Sequence, residues 1–191
     1  KGFTLIELLI AMAVVGILST ILFVFFGNTL TQYVALQEDG SAFTDVSLNS
    51  QRIAAVMRGG TDITQATGSS ITLYSYFAPN DQYLSLIRYY PDANGTKLLA
   101  DVTRMTANPP VGVTIPSSLK TVTIIDNFYV PANTNTFEYL DSAGGVLSTP
   151  ITDYTTIKGV RVNLVTKGSK RNAVPTKLSV DVSLRNKKTN L

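Results

Sequence analysis

Few side chains in this chain have reactive potential, and the one that stands out does so by its isolation. Glu7 is the only charged residue between Phe3 and Phe26, in a run that is otherwise apolar or uncharged. A charge at the centre of a bilayer costs about 2.5–3.5 kcal/mol on insertion scales, so a carboxylate in such a run needs a partner or a task. The usual catalytic constellations are missing elsewhere. The 191 residues include no histidine and no cysteine, which removes the commonest general base and leaves any metal site to carboxylates alone. Asp92-Ala93-Asn94-Gly95 matches part of a calcium loop, but the remaining ligands of the twelve-residue pattern do not follow. Its Asn-Gly pair is better read as a hairpin turn, and so is the glycosylation sequon Asn94-Gly95-Thr96. Ser117-Ser118-Leu119-Lys120 has the spacing of a serine–lysine pair without its companion motifs, and no glycine-rich phosphate loop occurs. The sequence therefore points away from an enzyme, from cofactors and metals, and from a small-molecule substrate.

The element that holds Glu7 is a helix. Phe3–Phe26 is long enough to cross a bilayer core at 1.5 Å per residue. Beyond it Leu30, Tyr33, Val34, Phe43, Val46, Ile53, Val56 and Met57 recur at steps near three and four, which predicts an amphipathic continuation to Gly59-Gly60. Gly16, Gly27-Asn28 and Gly40-Ser41 are points where that helix could bend or loosen. After Gly60 the pattern changes to short alternating runs. Strands are expected over 71–77, 83–90, 97–104, 121–130, 135–140, 146–149, 160–164 and 178–185, with a hairpin at Pro91–Thr96 and a basic loop at Thr166–Thr176. The tyrosines at 74, 76, 83, 89 and 90 read as sheet residues, some of them in the core. A long helix followed by an antiparallel sheet is an α+β architecture. The divisions expected are 1–2, 3–26 for the apolar helix, 27–60 for its continuation and 61–191 for a β-rich head.

Gly2-Phe3-Thr4-Leu5-Ile6-Glu7, preceded by Lys1 and followed by the apolar run, resembles the processing site of type IV pilins and of the pseudopilins of type II secretion and competence systems. The resemblance covers about the first 30 residues. It implies cleavage between Gly2 and Phe3 by a membrane prepilin peptidase, with residues 1–2 the remnant of a leader, and methylation of the new amine. It also implies docking of Glu7 onto the N-terminal amine of a neighbouring subunit, and a head packed on the second half of the helix. The physics agrees, because an α-amino group of pKa near 8 is largely cationic at neutral pH, and Glu7 stands at the positive end of the helix dipole. A plain signal anchor leaves the glutamate unexplained. A secretory signal peptide has a shorter apolar region with its small-residue cleavage site beyond it, whereas Ala11-Met12-Ala13 lies inside this run. Two features common in the family are missing: a helix proline near Val24 and a C-terminal disulfide. The strand pairs around Phe137-Glu138-Tyr139 and Gly159–Val162, with Leu184-Arg185-Asn186, are similar to larger minor pilins and minor pseudopilins.

Charge is distributed unevenly. Residues 1–157 hold seven Lys/Arg against twelve Asp/Glu, whereas from Lys158 onward nine basic residues face Asp181 alone. Lys167, Lys170, Arg171, Lys187 and Lys188 are candidates for contact with DNA phosphates or with an acidic partner, or else form a solvated face. No aromatic residue follows Tyr154 to stack on single-stranded bases. The reading is a structural filament subunit, a minor pilin. It is inserted in the membrane with Lys1 on the cytoplasmic side and its head outside, then moved from lipid into an extracellular pilus or a pseudopilus beside other pilin subunits. The alternatives are a pseudopilin of a secretion or competence system, and a tip adhesin or DNA-receptor pilin.

Overall fold

The computed structural model describes residues 2, 4–166 and 175–184. One helix, α1 (Leu5–Arg58), is followed by eight strands: β1 (Ile63–Ala66), β2 (Ile71–Ser75), β3 (Ser85–Pro91), β4 (Lys97–Arg104), β5 (Lys120–Asp126), β6 (Phe137–Leu140), β7 (Gly159–Thr166) and β8 (Thr176–Ser183). The architecture is α+β, with every strand pair antiparallel. The chain forms two compact units, Lys1–Ser41 and Ala42–Leu191. In the first, α1 runs without interruption past Gly16, Gly27 and Gly40.

In the second unit β1 to β5 form a sheet in sequence order, and β6-β7-β8 form a smaller one. An isolated bridge from Phe128 to Thr166, and the Tyr129 N–H donating to the Val165 carbonyl at 2.8 Å, join the end of the first to β7. The α1 residues Val46, Ile53, Ala54, Val56 and Met57 are buried in one cluster with Ile71, Leu73, Ile87, Tyr89 and Leu98. Their spacing near three and four residues places them on one stripe of the helix, as the sequence pattern requires. The Ser75 hydroxyl donates to the Val56 carbonyl at 2.6 Å, fastening β2 to the helix. Gly60 allows the exit from the helix, since a Cβ there would lie 2.7 Å from Leu73 Cδ1 and 2.9 Å from the Met57 carbonyl. The upper part of the predicted stripe is different. Leu30, Tyr33, Val34 and Phe43 remain exposed.

The hairpin at Pro91–Thr96 forms with Gly95 at φ +67°. The Asp92 carboxylate accepts from the Thr96 and Lys97 N–H groups at 2.6 and 2.7 Å, so this loop uses its acid to brace a turn. Residues 146–149 form no strand, and Val146 makes only an isolated bridge to Leu140. β1 was not visible in the sequence because Ile63-Thr64-Gln65-Ala66 is too short to show alternation, and it has a register shift. Tyr89 is a core residue of β3, whereas Tyr76 and Tyr83 lie outside the strands and are exposed. Tyr139 on β6 is buried, and its hydroxyl donates to the Thr67 and Ser70 carbonyls at 2.8 and 3.0 Å, tying β6 to the β1–β2 turn. On β7, Arg161 grips Asp181 of β8 with two hydrogen bonds of 2.7 and 2.9 Å and lies 3.5 Å from Glu138 of β6.

Two predictions concern this unit. Tyr139→Phe removes the tyrosine donor from the half-buried Thr67 carbonyl, while the Ser70 carbonyl keeps the Thr67 N–H at 2.9 Å. It should lower the unfolding free energy by about 0.5–1.5 kcal/mol, read by denaturant titration of the full chain in detergent. The second concerns acid. The hydrogen bond from Arg161 holds the Asp181 carboxyl below its usual range, and the Lys97 and Thr96 N–H groups do the same for Asp92. A depressed folded pKa contributes stability above the unfolded value of about 3.9, and that stability is lost as pH falls through the folded value. The Asp92→Asn, Asp181→Asn double variant should therefore be less stable than the unmodified chain at pH 7. It should also lose less stability between about pH 5 and 2.

Candidate functional site

Glu7 sits in the first turn of α1, where four backbone N–H groups have no helical partner. Thr4 is the residue immediately before the helix, and the two side chains close on each other. The Thr4 N–H and the Thr4 hydroxyl both donate to Glu7 Oε2 at 2.9 Å. The Glu7 N–H in turn approaches the Thr4 hydroxyl oxygen at 3.4 Å. This is the reciprocal capping box of a Thr-x-x-Glu sequence, satisfying donors at the helix start with the same carboxylate that benefits from the dipole. The sequence reading took Glu7 as an isolated charge and missed Thr4. The signal that would have found it is the three-residue spacing itself.

The carboxylate leads into a helix segment, Leu5–Gln37, of 33 residues, long and apolar enough to cross a membrane and with none of its side chains buried within the chain. At 1.5 Å per residue it extends about 50 Å, more than a hydrocarbon core of about 30 Å. Three of its threonine hydroxyls are satisfied within the helix. Thr20, Thr29 and Thr31 donate to the carbonyls of Gly16, Phe25 and Gly27 at 2.9, 2.9 and 2.8 Å. Such back-bonding leaves these side chains with no unmet donor in an apolar medium. Leu5, Leu8, Ile17, Phe23 and Phe26 are among the many large apolar side chains exposed along it. A surface of this kind is stable only against lipid or against other apolar helices.

Gly2 is exposed, and a Cβ built on it would meet nothing within 4 Å. Nothing in the fold of the chain requires glycine there. Phe3, Lys167, Lys170, Arg171, Lys187 and Lys188 lie outside the described residues, and so do Lys1 and Arg185. Among the described residues no group of three or more acidic side chains is placed to hold a metal ion.

A single apolar helix with a capped glutamate in its first turn, in a chain that also folds an antiparallel head, fits a single-pass membrane-anchored protein. Residues 1–23 match the family model of the prokaryotic N-terminal methylation motif. The match supports the type IV pilin and pseudopilin family, whose chains are structural subunits processed by prepilin peptidase and assembled with other pilin subunits. Among curated proteins none matches the chain.

The capping box is directly testable. Thr4→Val should weaken the helix start by about 1 kcal/mol, whereas Thr4→Ser should not. Amide hydrogen exchange of the full chain in detergent would show faster exchange at residues 5–8 in the valine variant alone.

Proposed function

We propose that this chain is a minor pilin of a type IV pilus-like filament, cleaved between Gly2 and Phe3 and docked through Glu7. The observation that carries this reading is the lone carboxylate at the head of an exposed, otherwise uncharged helix. In lipid the apolar run of residues 3–26 is at ease. In a filament the same run faces copies of itself, so the transfer exchanges one apolar surrounding for another and little free energy opposes it. Glu7 has a different task. Once the chain begins at Phe3, a cationic amine lies about one helical turn from the carboxylate, and in an apolar bundle an amine from a neighbouring copy is the natural partner for a carboxylate. Glu7 then fixes where along its neighbour a subunit stops. Gly2, for which the fold itself has no need, is explained by the shape of a peptidase site that must take the chain as an extended strand.

In this reading residues 1–2 belong to the leader, 3–26 form the filament core, 27–60 continue the helix and 61–191 form the head that sets position and partners. The head lies outside the cytoplasmic membrane, and membrane lipid surrounds the helix before assembly. A pseudopilin of a secretion or competence system uses the same helix chemistry and is the nearest alternative. The basic residues Lys167, Lys170, Arg171, Lys187 and Lys188 favour contact with an acidic surface, either a neighbouring subunit or DNA phosphates, and a DNA-receptor or adhesin pilin at the tip would use them.

Mass spectrometry of the protein sheared from native cells should give a chain starting at Phe3 with a methylated amine. A chain retaining Lys1-Gly2 would contradict the processing. Reversing Lys167, Lys170 and Arg171 to glutamate separates the roles of the basic residues. Loss of DNA binding with filaments intact assigns them to a receptor, and loss of filaments assigns them to assembly.

A further inference from the structure

The outward face of α1 in the second unit carries Asp45, Leu48, Arg52 and Ala55, whose spacing of three, four and three residues puts them on one stripe. Leu48 is 60% exposed, unusual for a leucine on a helix whose opposite face forms a core. The Arg52 guanidinium lies 4.9 Å from the centre of the Phe77 ring. That stacking holds it at the rim of an open cavity of about 400 Å³, lined by Arg52, Ala55, Val56, Tyr76, Phe77 and Pro79 among others. The wall is mostly apolar, with one cation at its edge. Among the described residues no carboxylate forms an ion pair with Arg52. Asp45 is seven residues upstream, about 10.5 Å along the axis, and forms no ion pair with it. The guanidinium is thus stacked on one face, while its fork of donors has no carboxylate partner.

The order of charges along α1 indicates what fits there. Glu7, Glu38, Asp39 and Asp45 all precede Arg52 and Arg58. Two parallel copies in register set acid against acid and base against base. A parallel copy displaced by seven residues, about 10.5 Å along the axis, brings Asp45 level with Arg52. At the seven-residue displacement Leu48 of that copy also comes level with Ala55 at the pocket wall. We propose that the Arg52–Phe77 pocket receives α1 of a second copy of this chain, with Asp45 of that copy pairing with Arg52. The contact makes parallel copies attract only when staggered, which a helical filament requires and an aligned bundle does not. Because the acidic and basic ends of the contact are different parts of the helix, each copy can give to one neighbour and receive from another, and the association is open-ended.

This inference rests on the filament reading, and the test keeps the two apart. The chain has no cysteine, so introduced pairs react without background. Filaments of the full chain carrying Arg52→Cys with Asp45→Cys, mildly oxidised, should give a covalent ladder beyond the dimer. Intact filaments with no ladder overturn the pocket proposal and leave the filament reading standing. An unmodified chain that never enters filaments overturns both. If the cysteine variant does not assemble, charge decides. Arg52→Glu should lower filament mass by at least about tenfold with the head still folded, and Arg52→Lys by less, since lysine keeps the charge but not the stacking. Equal filament mass from all three chains contradicts the pairing.

Discussion

The structure depends on how one carboxylate is kept in an apolar helix. Glu7 would be costly in hydrocarbon if nothing met its charge. The chain meets part of that cost locally, through the Thr4 N–H and hydroxyl and through the dipole of α1. Among the described residues these contacts use only Oε2, and the second oxygen of the carboxylate is where the proposed docking amine would bind. In the proposed reading, the helix cap and the docking contact share one turn of helix. The threonine hydroxyls further along are treated differently, each closed onto a carbonyl four residues back.

The second unit has a complementary logic. The last turns of α1 supply one side of its core, and Ser75 and the exit at Gly60 hold the sheet to that helix segment. Tyr139 and the Arg161–Asp181–Glu138 group tie the smaller sheet together without a disulfide. Burial and hydrogen bonding thus do for this unit what a cross-link does in many small exported domains. The acids of the hairpin and of β8 are bound to backbone N–H groups or to arginine. They are structural groups.

The sequence made the helix and its glutamate legible because a long uncharged run and one charge are visible without any tertiary information. The α+β class and the Asn94-Gly95 hairpin followed from a change of period and a turn dipeptide, and both are local signals. β4 was read at Lys97–Arg104, the bounds found. What could not be read depended on distant partners. β1 is short and exists because β2 is beside it, and residues 146–149 carry β-branched residues yet find only one bridge. The predicted apolar stripe of α1 is buried at Val46, Ile53, Val56 and Met57, where strands meet it, and exposed at Leu30, Tyr33, Val34 and Phe43. Thr4 was the one local signal overlooked, because Glu7 was read for its charge before its spacing.

The central claim is that the carboxylate of Glu7 joins one subunit to the next while the apolar run serves lipid and filament alike. Incorporation of Glu7→Val into filaments, measured beside the unmodified chain at equal membrane levels, tests it most directly. The account predicts that the valine chain remains in the membrane, where it loses only a charge, and that its share in sheared filaments falls by at least about tenfold, a coupling of 1.4 kcal/mol or more. Equal incorporation of the two chains would contradict it.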